Sequence, residues 1–157
     1  MNHQVFSELD LTTLLSLSFN ASINELHDRL SELGFDDIKP AHGFILKCVS
    51  IDGTTGIDIA KYLGITKQAV SKMLDYLEDS GYVMRQIHHT NKRGKTIVLT
   101  KRGWLVVKAK GEILAEIEQR WSEKIGAERM QMLRDDLTKI VYGAREDKFL
   151  SGVRPVW

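Results

Sequence analysis

A chain of 157 residues that is 43% hydrophobic, with 22 basic against 21 acidic side chains and a net charge of +1, is one compact domain's worth of sequence with enough apolar content for a real core. Two prolines and 12 glycines exclude a linker-like composition, no internal repeat or low-complexity segment stands out, and no apolar run approaches the roughly 20 residues of a membrane span. The opening MNHQVFSELD lacks the basic start and apolar core of a signal peptide, and the single cysteine, Cys48, excludes an intrachain disulfide; a soluble, cytoplasmic protein is expected.

From about Asp10 to Leu33, the residues Leu15, Phe19, Ile23, Leu26, Leu30 and Leu33 recur at alternating three- and four-residue steps, and Gly34 stops the pattern. A helix of about 24 residues is roughly 36 Å long. That exceeds what a small domain needs to cover its core, and packing against a partner subunit is the simplest use for the excess. Pro40 suits the first turn of a second helix, where its missing donor costs nothing. That helix runs through Phe44, Ile45, Leu46 and Val49 to the Asp52-Gly53 turn signal. His42 near its start reads as a surface or boundary residue rather than a ligand. Cys48, in the apolar run FILKCVS, reads as a small buried hydrophobe rather than a redox sensor.

The next stretch reads as two short helices crossed at a tight turn. Thr55 can cap the first, Ile59 and Leu63 share one face, and Ala60 is small enough for a second helix to cross closely. Gly64 permits the left-handed residue that ends a helix. Ile65 fills the corner, and Thr66 offers its hydroxyl to the free amides of the following helix. From Thr66 to about Ser80, Val70, Met73, Leu74 and Leu77 form the buried stripe and leave Lys67, Gln68, Ser71, Lys72 and Asp75 outside it. A helix entering a major groove puts its N-terminal residues near the bases. Gln68 and Lys72 are therefore candidates for base edges, and Lys67 and Ser71 for phosphates.

After Gly81, YVMRQIH and KTIVLT are strand-like runs flanking the polar HTNKRG, a two-stranded ribbon with a basic tip. Lys92, Arg93 and Lys95 sit at or near that tip, and Arg93 is the candidate for minor-groove insertion. His88 and His89 are adjacent, so on a strand they face opposite ways and chelate poorly. Between Thr54 and Arg102, nine Lys/Arg stand against four Asp/Glu, a local +5 in a chain of net +1, so the remainder is net −4. Positive charge gathered on one element fits a localised polyanion site.

Beyond Thr100 an apolar side carried by Trp104, Val106, Val107, Ile113, Leu114, Ile117 and Trp121 predicts a long helix broken at Gly126, and Met130, Leu133, Leu137, Ile140 and Val141 predict a last one. A homodimer with interleaved terminal helices would bury these faces together. The tail FLSGVRPVW is apolar, and docking across such a dimer is one fate for it. The expected fold is mainly α with a small β wing, a single domain over 1–157: a winged helix-turn-helix core at 38–103, dimerisation helices at 9–34 and 104–146, and a tail at 147–157. With no GxGxxG, nucleophile elbow or HExxH, and no length for a cofactor domain, neither an enzyme nor a cofactor or metal site is expected.

IKPAHG before the second helix, DIAKYLGITKQAVSKMLDYLEDSGYVMR and KRGKTIVLTKRG, in that order and spacing, resemble the MarR family of bacterial transcriptional regulators, most densely from Ile38 to Gly103. The resemblance implies a winged-helix dimer on palindromic operator DNA, often a repressor relieved by a small molecule or an oxidant, with ligands in the crevice between the winged domain and the dimer helices. The family's wing carries an aspartate, a proline and then aspartate-any-arginine. Here those positions read His88, His89, and then Asn91, Lys92, Arg93. Asn91 can accept from Arg93 without a charge-assisted pair, so a more basic wing that still binds DNA is expected. A winged domain used for protein contact or ligand sensing without an operator is the alternative.

Overall fold

The computed structural model describes residues 8–87 and 95–146. Six helices and three short strands follow one another in it: α1 Leu11–Glu32, α2 Pro40–Asp52, β1 Thr54–Thr55, α3 Gly56–Leu63, α4 Lys67–Asp79, β2 Val83–Ile87, β3 Lys95–Leu99, α5 Lys101–Ile125 and α6 Ala127–Glu146. The fold is mainly helical with a small antiparallel sheet, as the residue patterns imply.

The sheet has one strand more than expected. β3 lies in the middle, with β2 on one side and β1 on the other. Thr54 pairs with Ile97 and Thr55 with Thr96, while Val83 faces Leu99 and Arg85 faces Ile97. The ribbon is thus three-stranded. Two threonines before a helix cap give no alternation to read, and their partner strand lies about forty residues further on.

The core gathers Leu26 and Leu30 of α1, Ile45, Leu46 and Val49 of α2, Ile59 and Leu63 of α3, Val70, Leu74 and Leu77 of α4, Ile97 of β3, and Val106, Ile113 and Ile117 of α5. Cys48, Ile65 and Met73 are half-buried against it. α1 starts at Asp10, whose carboxylate accepts from the Thr13 amide at 2.9 Å. It is held to α5 by Arg29–Glu116 at 2.6 Å and Arg120–Glu25 at 2.5 Å.

The start of α5 is fixed by close approach. A Cβ on Gly103 would stand 2.1 Å from the Tyr82 carbonyl oxygen, so only a glycine lets the helix leave the sheet there. Thr100 caps it, accepting from the Gly103 amide at 3.1 Å and donating its hydroxyl to the Gly81 carbonyl at 2.5 Å.

The terminal stripes are only partly covered. In α1 the C-terminal half is buried at Leu26 and Leu30, whereas Leu15 and Phe19 are exposed, and Leu33 is exposed as the C-cap where the chain turns. Trp104 also lies at the surface. α6 has no buried side chain among its described residues, and Leu133, Ile140 and Val141 are all exposed. Among the described residues no helix is long and apolar enough to cross a membrane, and no cluster of three or more His, Cys, Asp or Glu could hold a metal.

Candidate nucleic-acid interface

α3 and α4 are joined by a turn of three residues whose chemistry is local. Thr55 accepts from the Asp58 amide at 3.2 Å and donates its hydroxyl to the Asp58 carboxylate at 2.6 Å, which starts α3. Gly64 ends it in the left-handed region at φ 65°. Thr66 follows with extended backbone and accepts from the Ala69 amide at 3.1 Å, so α4 begins at once. Its N-terminus keeps free amides and the positive end of the helix dipole.

The inner face of α4 is Val70, Leu74 and Leu77, all buried. Thr66, Lys67, Gln68, Ser71 and Lys72 are all exposed on its other side. An open cleft of about 340 Å³ between α4 and the sheet brings Lys67 and Ser71 together with Lys95 at the start of β3, and Arg85 and Thr55 share its walls. Gln68 and Lys72 stand on the exposed face beyond this cleft. Asn91, Lys92 and Arg93, with His88 and His89, lie outside the described residues.

Two arginines counted in the local +5 are satisfied inside the protein. Arg85 reaches from β2 to α4, with Nη2 2.5 Å from Asp75 Oδ1 and Nη1 bonded to Glu78 Oε2. Its own amide donates to Glu78 Oε1 at 3.0 Å. Burial opposes the Arg85 charge, but the two carboxylates outweigh it and push its pKa further up. Arg102, in the first turn of α5, donates to the Tyr82 hydroxyl at 2.9 Å and to Asp37 at 3.3 Å. Lys61, Lys67, Lys72, Lys95 and Lys101 make no ion pair with another described residue, so among the described residues of this stretch the available positive charge is carried by lysines. A count of charges misses this, because pairing depends on which helix a strand lies against.

Behind the helix pair is a polar hub. Tyr82 is fully buried; its hydroxyl donates to Asp37 Oδ1, and burial followed by that bond pushes its pKa up to about 12. Tyr76 of α4 donates to the Asp37 carbonyl at 2.8 Å. The Arg102 guanidinium lies 4.6 Å from the Tyr82 ring centre. His42 belongs to this hub and is not a surface residue. It is buried, its Nδ1 accepts from the Lys39 amide at 3.2 Å, and its ring stacks on Tyr76 at 4.8 Å. Burial lowers its pKa, with Lys39 adding to the effect, and burial lowers that of His27 on α1. The Lys110 amine, 3.3 Å from the Gly43 carbonyl, is likewise lowered by burial and then by Lys47. The Cys48 thiol is pushed up by burial, which makes it less reactive.

Residues 40–95, from the start of α2 through the helix pair to the first residue of β3, match the sequence profile of the MarR family. Over that stretch the chain is similar to the MarR family. Solved structures of MarR-family proteins cover 84–90% of this chain. The reduced form of MarR from E. coli is 25% identical with a TM-score of 0.68, covering 84% of this chain and 96% of that one. The S. aureus MepR–DNA complex is 27% identical with a TM-score of 0.70, covering 87% and 99%. The transcriptional repressor CouR, bound to a 23-mer DNA duplex, shares the fold at 23% identity and a TM-score of 0.71, covering 90% and 98%. In MarR-family terms, α3 and α4 are the helix-turn-helix, and β2 and β3 are the strands of the wing.

Proposed function

We propose that the chain is a DNA-binding transcriptional regulator, without catalysis, that acts as a homodimer on a near-palindromic operator in the cytoplasm. The observation that carries this reading is the Thr66-capped helix that exposes Lys67, Gln68, Ser71 and Lys72 beside Lys95, its lysines exposed and in no ion pair with another described residue. MepR, whose structure in complex with DNA matches 87% of this chain at 27% identity, supports it. In this reading Gln68 and Lys72 touch base edges, while Lys67, Ser71, the Thr66 end of the helix and Lys95 hold phosphates. Asn91, Lys92 and Arg93 supply the wing's contacts to the adjacent groove.

The winged core at 38–103 then sits between dimerisation helices at 9–34 and 104–146. Support for a dimer comes from the exposed Leu15 and Phe19 on α1 and from an open groove of about 440 Å³ between α5 and α6, walled by Trp121, Leu133, Leu137 and Val141. Two helices presented by a two-fold axis enter major grooves about 34 Å apart. Repression relieved by a small effector is the mode of regulation this reading adopts.

Selection of preferred duplexes from a random pool, followed by a salt titration, tests the proposal. The selected site should show two inverted half-sites about one turn apart, with affinity falling steeply as salt rises. A stable monomer, or indifference to every duplex at low ionic strength, overturns it.

A further inference from the structure

Arg85 stands in the middle of β2, opposite Ile97 of the central strand. Its guanidinium bridges two carboxylates one helical turn apart on α4, Asp75 and Glu78, and Glu78 also accepts the Arg85 backbone amide. Among the described residues, no other side-chain hydrogen bond joins α4 to the sheet. A planar fork between two carboxylates fixes an angle as well as a distance, which a single point charge does not do. The arginine side chain is 23% exposed, whereas Asp75 is 59% exposed and lies outside the buried stripe of α4.

That placement of Asp75 is a puzzle for a protein that binds DNA. A carboxylate on the outward side of the helix that carries Lys67 and Lys72 repels phosphate, so by charge alone the chain would bind more tightly without it.

We infer that Arg85 is a positioning residue for operator recognition: gripped by Asp75 and Glu78, it locks the wing strands to the recognition helix, so that helix and wing meet the duplex as one body. Its charge is satisfied within the protein and does not serve a phosphate. The inference rests on the DNA-binding reading above and deepens it.

The two views of the acids predict opposite signs. The double variant Asp75→Asn/Glu78→Gln of the full chain is compared with wild type by fluorescence anisotropy, on the selected duplex and on a scrambled duplex of the same length. If the acids are bystanders, the added positive balance tightens both complexes. If they hold Arg85, the scrambled duplex is bound as well or better, while the selected duplex loses about ten-fold, on the order of one base-pair contact. The ratio between the two duplexes then collapses. Arg85→Lys keeps the charge and loses the fork, so it should weaken the selected complex in the same direction; a phosphate contact would tolerate it.

Should the double variant not fold, Asp75→Asn alone, at the exposed partner, should lower discrimination less but with the same sign. A variant that binds the selected duplex at least as tightly as wild type, or Arg85→Lys indistinguishable from wild type, overturns the inference. Wild type that ignores both duplexes removes the DNA-binding reading first, and the inference falls with it.

Discussion

Replacing Tyr82 by phenylalanine removes one oxygen from the hub that joins the recognition helix to α5. The ring stays, and with it the packing and the Arg102 guanidinium 4.6 Å away. What is lost is the bond donated to Asp37 and the one accepted from Arg102 at 2.9 Å. A hydrogen bond to a charged group contributes about 1.5–3 kcal/mol. The Asp37 and Arg102 side chains are 31% and 44% exposed, still face each other at 3.3 Å, and recover part of this from water. The expected destabilisation is therefore about 1–2 kcal/mol. Urea unfolding at fixed protein concentration measures it, with an unchanged m-value showing that only stability has moved.

Alkali supplies a second signature of the same contact. Tyr82 has its folded pKa raised from 10.0 to about 12, so above pH 10 the unfolded chain binds fewer protons than the native one. Stability present below pH 10 should drain away as pH rises toward 12, and the phenylalanine variant should lack that part of the loss. Equal stability at neutral pH together with an identical alkaline limb would refute the reasoning.

At the acid end the sign reverses. Both His27 and His42 have pKa values lowered from 6.5, so the unfolded chain binds more protons just below that value, and the urea midpoint should fall as the pH drops from 7.5 toward 5. His42→Asn should flatten part of that slope. Gly103→Ala places a Cβ 2.1 Å from the Tyr82 carbonyl oxygen, and α5 must shift to admit it; a loss of about 3 kcal/mol is expected in the same unfolding assay. Thr66→Ala removes the acceptor for the Ala69 amide and should cost about 1 kcal/mol. Because that cap starts the helix bearing Gln68, the variant should also weaken binding to the selected duplex, whereas Thr66→Ser should keep both.

What could be read from the residues alone was what neighbours in sequence decide. Thr55, Gly64 and Thr66 act within three or four positions of themselves, and all three do in the fold what their chemistry implies. The stripe of α4 was equally legible, because burial there repeats at the helical period. Contacts between distant segments were not. Arg85 and its two acids are separated by an intervening turn and a change of secondary structure, and nothing in the order of residues says that β2 lies back against α4. His42 carries no sign of Tyr76, 34 positions away, whose ring covers it. Of the candidate contacts, Lys67, Ser71 and Lys95 line one cleft and Gln68 and Lys72 lie exposed beyond it, while Asn91, Lys92 and Arg93 lie outside the described residues.

α6 has a consequence for the life of the protein at low abundance. A helix with no fully buried side chain among its described residues draws little free energy from the subunit that bears it. On the dimeric reading, that helix is kept in shape by the neighbour, and dilution lets it go: fraying should begin at Ala127 well before the three-stranded sheet melts. A cell holding few copies would then keep fewer of them assembled than the strength of the winged core alone implies.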